Sequence, residues 1–408
     1  MKTLKIWLIL GLCCLVVGLV ACGGAAEPTT APETGATAPA STGEKLIFGL
    51  IMVGPKDDHG WNEAHREAAE YVKLKDPNTD FVWFDKLNQA DNPGLTIEQV
   101  SDELIGQGAS VVFTNSAEFA DATNNAAKAH PDVTFIHISG DDVLTGAAPA
   151  NVGNFMGRME YGKMIAGCAA AMTTQTGSIA YLGPLIDSET RRLVNSAYLG
   201  ARYCWENERG MAAADLSFTV TWIGFWFNIP GVTLDPTQVA NDFVNNGADV
   251  IISGIDTTEG LVVAGQRTAA GTQVWSVPYD FRAACGEAAA VCLGVPYFNW
   301  GPAYLATIEA VKNGTWKQSW DWNGPDWQDI NNPDTSAVGW EDGPALSAEA
   351  KAAVDRLIAG FADGSINLYA GPLNYQDGSV FVPAGQTATD EQVWNSQQLL
   401  EGITGVSK

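Results

Sequence analysis

Six short stretches of this 408-residue chain carry carboxylates, amides or hydroxyls, five of them beside aromatic rings. They are Asp57-Asp58-His59-Gly60-Trp61-Asn62 with His65 nearby, Asn115-Ser116-Ala117-Glu118-Phe119, Phe225-Trp226-Phe227-Asn228, Ile255-Asp256-Thr257, Tyr279-Asp280-Phe281 and Phe298-Asn299-Trp300. Flat rings offer faces for stacking and carboxylates accept hydrogen bonds in fixed directions, so the set suits a small, polar, planar ligand. An enzyme such as a nucleoside hydrolase could draw on Asp58, Asp256 and Asp280 as its carboxylates. The sequence has no G-x-S-x-G elbow, no phosphate-cradling P-loop and no H-E-x-x-H, however. No Cys-x-x-Cys occurs, and His59, His65, His130 and His137 do not cluster near the cysteines as zinc ligands would. Binding without reaction is therefore expected, with neither cofactor nor metal. Each residue also has a plainer use: Asp57 and Asp58 can cap a helix opening near Asn62, Trp61 and Trp300 can be core rings, and Asp280 can serve a turn. Their joint placement at strand ends points to a site.

The elements that must hold these stretches alternate. Apolar, β-rich runs lie at 46–52, 81–84, 110–114, 134–139, 178–182, 217–223, 249–253 and 273–277. Helical patterns fall between them at 62–74, 96–107, 118–129, 161–174, 190–208, 236–246 and 261–270. Such alternation predicts an α/β fold of mostly parallel, doubly wound sheets with helices on both faces. Four units run to about Asn151 and the rhythm restarts near Asn154, which predicts two lobes with a cleft between them. In open parallel sheets ligands bind beyond the carboxyl ends of the strands, where these stretches fall. The expected boundaries are 45–153 for lobe 1, with 281–300 returning to it, and 154–280 for lobe 2, with 301–408 packing largely on it.

At the N-terminus Lys2 and Lys5 precede an apolar run over 6–20 and then Leu19-Val20-Ala21-Cys22, similar to a bacterial lipobox. Residues 1–21 thus read as a lipoprotein signal peptide and Cys22 as the lipidated residue, an uncleaved anchor being the alternative. Residues 22–44 hold almost only Gly, Ala, Pro, Thr, Ser and Glu and read as a flexible tether. The folded part is expected outside the cytoplasm, held to the cell membrane by lipid on Cys22. A formal net charge of −25 argues against nucleic acid or an anionic bilayer surface as a partner. Cys168, Cys204, Cys285 and Cys292 remain for an oxidising compartment; pairing Cys285 with Cys292 and Cys168 with Cys204 is favoured, while the other two connectivities stay open.

Several motifs taken together resemble the basic membrane protein (BMP) family, substrate-binding lipoproteins that serve ABC importers and include purine nucleoside receptors. Gly54-Pro55, Asp58-His59-Gly60-Trp61 and His65 are similar to its opening motif, and 113–121 with His130-Pro131-Asp132-Val133 and His137 to its second segment. Gly157-Arg158-Met159, Gly162 and Ala166-Gly167 resemble its crossover helix; 296–301 with Tyr304, Gly314-Thr315-Trp316-Lys317, Asp363-Gly364 and Gly371-Pro372 resemble its late segments. The resemblance implies a two-lobed type I periplasmic-binding-protein fold that closes on a purine base or nucleoside, a membrane permease as partner and a monomer. It puts Asp58, Trp61 and His65 on the first-lobe wall with Asn115, Ser116 and Phe119 beside them. Phe227 would stack on the base from lobe 2, and Asp256 and Asp280 would take its polar edges. Trp300 stands where nucleoside-binding members have Lys, which favours a free base or another flat ligand. The alternatives are a sugar-binding or sensory lipoprotein of the same fold, an adhesin, or a nucleoside-processing enzyme.

Overall fold

Leu46–Ile51 (β1) opens the part of the chain that the structure, a computed structural model, describes: residues 45–408. The signal peptide, Cys22 and the tether expected over 1–44 lie outside the described residues. Four more strands complete the first half, β2 (Thr79–Phe84), β3 (Ala109–Thr114), β4 (Thr134–Ile138) and β5 (Val152–Gly157). The second half holds β6 (Ser178–Gly183), β7 (Ser217–Trp222), β8 (Val250–Ser253) and β9 (Trp275–Val277). Later come β10 (Gly294–Phe298), β11 (Trp320–Asn323), β12 (Val338–Asp342), β13 (Leu373–Asn374), β14 (Val380–Val382) and β15 (Ile403–Thr404). The helices are α1 (Trp61–Lys75), α2 (Ile97–Gly106), α3 (Ala120–Ala129), α4 (Asp142–Thr145), α5 (Met159–Thr173) and α6 (Ser188–Asn207). α7 (Pro236–Asn245), α8 (Glu259–Ala269), α9 (Gly301–Lys312), α10 (Ala348–Ala362) and α11 (Asp390–Trp394) follow. Each strand and helix expected from periodicity is present, its ends shifted by at most two residues.

The two sheets share one winding order. The first runs β2-β1-β3-β4-β5-β11 and the second β7-β6-β8-β9, with β15 added outside β7. All their pairings are parallel. In each, the chain lays its second strand on one side of the first and its third on the other, which leaves a crevice at the carboxyl ends of β1 and β3 and of β6 and β8. β5 escapes periodicity because Gly153, Asn154 and Gly157 dilute its apolar run. Those residues are small for a packing reason: a methyl on Gly157 would sit 2.7 Å from the Phe298 ring.

The chain passes between lobes three times, at 157–159, near 298–301 and between β11 and β12. The later segments are shared differently from expectation. Residues 281–300 mostly flank the second sheet, through the bridges Ser276–Cys292 and Asp280–Tyr297, and return to lobe 1 only around Trp300. Beyond them α9 packs on α1 and β11 pairs with β5, so 301–323 belong with lobe 1, while α10 packs on α5 and β15 closes the second sheet. Sequence periodicity marks elements but not the partners they choose.

α5 and α6 form the most intimate contact in lobe 2. A methyl on Gly167 would lie 1.9 Å from the Ala197 carbonyl oxygen, and one on Gly200 1.9 Å from that of Met164, so the two backbones nearly touch. The Cys168–Cys204 disulfide staples the pair, and Cys285–Cys292 closes a second, short loop. Replacing Cys168 and Cys204 by Ala should lower unfolding free energy by about 2–4 kcal/mol, the usual worth of such a cross-link. Chemical denaturation of both proteins under oxidising conditions checks this; equal midpoints would show that helix packing alone holds the pair.

Candidate functional site

The two crevices meet in a slot lined by Val53, Trp61, Asn115, Ser116, Ala117 and Ser139 from lobe 1 and by Glu189, Trp226, Asp256 and Tyr279 from lobe 2. Its cavity volume is only about 10 Å³. The space is small.

Loops after β1 and β3 build the lobe 1 wall. Asn115 accepts from the Val53 N–H (3.0 Å) and donates to the Asn62 side chain (2.9 Å), locking the two loops together. Trp61, at the start of α1, donates from its indole to the Asn115 carbonyl (2.6 Å), which fixes the ring against the slot. Ser116 donates to Glu118, and its own carbonyl accepts from buried His137 (2.7 Å). On lobe 2, Asp187 caps α6 through the Thr190 N–H (2.8 Å) and so places Glu189 in the first turn, facing the slot. Ser139, beyond β4, donates to Glu189 across the cleft. The lobes also meet at Gly60, where an added methyl would lie 1.7 Å from the Asp256 carbonyl oxygen.

The slot is acidic. Burial raises the carboxyls of Asp256 and Asp280 well above their usual range, and the negative charge of Asp280 pushes Asp256 further the same way. Asp280 is fully buried and neither of its oxygens reaches hydrogen-bond geometry, although the Lys163 charge and the neighbouring Tyr279 side chain both act to lower its carboxyl. Its φ of +73° and the +70° of Ser139 are left-handed, a costly conformation for non-glycine residues that often marks a functional position. Lys163 stands behind Tyr279, its Nζ 3.2 Å from the ring centroid and bonded to the Ser253 carbonyl (2.6 Å). Burial pulls the Lys163 ammonium well below its ordinary range, and the charge of Asp280 opposes that shift. Glu189 is pushed up to about 7, by burial first, with Arg192 acting against it.

Of the residues singled out in the sequence, Trp61, Asn115, Ser116 and Asp256 lie on the slot wall, and Asp280 sits next to Tyr279 of that wall. The others do not. Asp58 accepts from the N–H groups of Gly60, Asn62 and Glu63 and from the Asn62 amide, so its acceptor sites are filled in capping α1. His65 and Trp300 are core rings stacked on each other (4.8 Å), with Phe298 on the far side of Trp300 (4.4 Å) and His65 bonded to the Tyr304 hydroxyl (2.9 Å). Phe119 faces a neighbouring cavity, and Phe227 packs edge-on against Phe225 (5.0 Å) while Trp226 supplies the ring to the slot. Sequence reading misses Val53, Ser139, Glu189, Trp226 and Tyr279; Trp226 and Tyr279 stand inside the strand-end stretches, Val53 and Ser139 just past the ends of β1 and β4, and Glu189 in neither place. Among the described residues no group of His, Cys, Asp and Glu could hold a metal ion.

Two sheets of like winding, joined by three crossings around a polar slot, define a substrate-binding protein with the type I periplasmic-binding-protein fold. The family model described as ABC transporter substrate-binding protein PnrA-like (Bmp) matches residues 45–318, and the chain belongs to that family. It is 26% identical over 361 residues to a purine-binding protein of Brucella abortus, covering 88% of this chain and 93% of that one. A Haloferax volcanii protein named for glucose binding in an ABC transporter is 26% identical over 286 residues, 70% of this chain and 66% of the other. The solved structure of an ABC transporter solute-binding protein from Aeropyrum pernix superposes with a TM-score of 0.63 at 13% identity, covering 86% of this chain and 96% of that one, which shows the shared fold.

Two outcomes follow from the site. Gly60→Ala should leave each lobe folded but hold the lobes apart, weakening ligand by at least about tenfold (about 1.4 kcal/mol); calorimetric affinity with an unchanged circular-dichroism spectrum checks it, and full affinity would show that the contact gives way. Between pH 4.5 and about 7 the folded protein keeps a proton on Glu189 that the unfolded chain has released, so stability falls as pH rises through that window. Glu189→Gln should reduce this fall, gaining on the parent at pH 7.5 relative to pH 5, with Asp256 and Asp280 leaving a residual slope of the same sign. An equal difference at both pH values would place the titration elsewhere.

Proposed function

We propose that this chain captures a free purine base between its lobes outside the cytoplasm, tethered to the membrane by lipid on Cys22, and delivers it to an ABC permease. The observation that carries this reading is the fully buried carboxyl of Asp280, neither of whose oxygens reaches hydrogen-bond geometry, near Asp256. Buried acceptors without partners are costly, so a ligand rich in N–H donors supplies what the fold withholds. A purine brings such donors on a flat face, which Trp61, Trp226 and Tyr279 can cover. The name of the Brucella relative supports the same choice.

A sugar is the second reading, favoured by the name of the Haloferax relative and by the same pairing of rings with carboxylates. Closure needs no reaction: a ligand that touches both lobes only when they meet favours the closed arrangement.

A thermal-shift screen of the purified chain against adenine, guanine, hypoxanthine, their nucleosides and a sugar panel tests this. Purines should stabilise by about 2.7 kcal/mol at a hundredfold excess over Kd. Asp280→Asn should fold at least as well at neutral pH, since it removes a buried acid, yet lose about tenfold or more in purine affinity. Trp226→Ala should lose about 1–3 kcal/mol of stacking. Stabilisation by sugars and not by purines would keep the fold and replace the ligand.

A further inference from the structure

A second cavity adjoins the slot, with Val53 lining both. This vestibule has a cavity volume of about 580 Å³, against about 10 Å³ for the slot. Its walls are mainly apolar and come from both lobes: Leu87, Phe119 and Ala122 on one side, Phe225, Ile229 and Val232 on the other. Of its polar rim, Asn88, Thr96 and Glu118 are committed, while Gln89 and Glu98 accept only long hydrogen bonds (3.4 Å each). The Asn88 amide donates to the Val53 carbonyl (2.9 Å) and to Asp91 (2.8 Å), and Glu118 accepts from Ser116. Val232 is 76% exposed and its neighbour Leu234 53%, on a loop that otherwise has no reason to show apolar side chains to water.

We propose that the vestibule is a second subsite, taking an apolar substituent carried by the same base whose ring lies in the slot. This rests on the purine reading above and narrows it. A ribosyl group would bring hydroxyls to walls with few free partners, and each unsatisfied hydroxyl costs binding. An alkyl or aryl group gains by leaving water there. The ligand class is therefore a base substituted with an alkyl or aryl group, ahead of the nucleoside. The loop bearing Phe225, Ile229 and Val232 becomes the specificity determinant, because it covers the substituent only when the lobes are together.

Titration calorimetry of the full chain in mild detergent, with adenine, hypoxanthine, N6-benzyladenine, 9-benzyladenine, 9-benzylhypoxanthine, adenosine and inosine, tests the subsite. At least one benzyl base should bind about tenfold or more tightly than its parent base, with neither nucleoside sharing the gain. The double substitution Ile229→Ser with Val232→Ser, on an exposed loop, should remove the gain and leave the unsubstituted base within about twofold. Benzyl bases no tighter than their parents, nucleosides gaining as much, or a gain that survives the double substitution would each overturn the subsite while leaving base capture intact. Silence towards every base, substituted or not, in a folded protein would overturn base capture itself, and the subsite with it.

Discussion

Keeping carboxyl groups away from water is the constraint on which the cleft depends. Asp256 borders the small slot and Asp280 is fully buried next to its wall, and the cation behind them, Lys163, gives its hydrogen bond to the Ser253 carbonyl. A flexible surface could not hold such groups; it would turn them out to solvent. Here the ends of parallel strands hold them, with backbone ladders on either side. The left-handed backbone at Ser139 and Asp280, one after the fourth strand of each sheet, shows both lobes using the same strained turn to face the cleft.

The hinge side treats charge differently. Buried Arg192 pairs with Glu160 (2.5 Å) and lies over the Trp394 ring (4.2 Å), while Arg158 lies over Trp322 (4.1 Å) and is paired with Asp390. Trp394 in turn donates to Asp141 of lobe 1 (3.0 Å), so α11 touches both halves. The hinge side thus pairs its arginines closely with carboxylates, while in the cleft Arg192 lies 3.9 Å from Glu189 and burial raises the carboxyls of Asp256 and Asp280.

Much of this was legible from residue types. Asp256 and Asp280 stood out because each follows an apolar run, and strand ends are where parallel sheets expose chemistry. The limits are equally specific. Asp58 lies at a strand end too, but the open N–H groups of α1 claim it, and nothing in its local sequence separates a cap from a ligand contact. His65 and Trp300 are distant in sequence and meet only through α9 packing on α1, so their stacking could not be foreseen. In Phe225-Trp226-Phe227 three rings follow one another in a loop with no period, and only the folded chain decides which faces the slot. Glu189 resembles an ordinary first-turn acid, favoured there by the helix dipole.

β11 and β15 add an order in time to this architecture. Both are far along the chain, yet β11 pairs with β5 and β15 with β7, so each finishes a sheet begun much earlier. Until 320–323 and 403–404 have been made, β5 and β7 each present an unpaired edge, open to any other strand. Because 320–323 precede 403–404, the first sheet can cover its edge while the second still waits for its outermost strand. The two lobes are thus completed in sequence as the chain is made, lobe 1 before lobe 2.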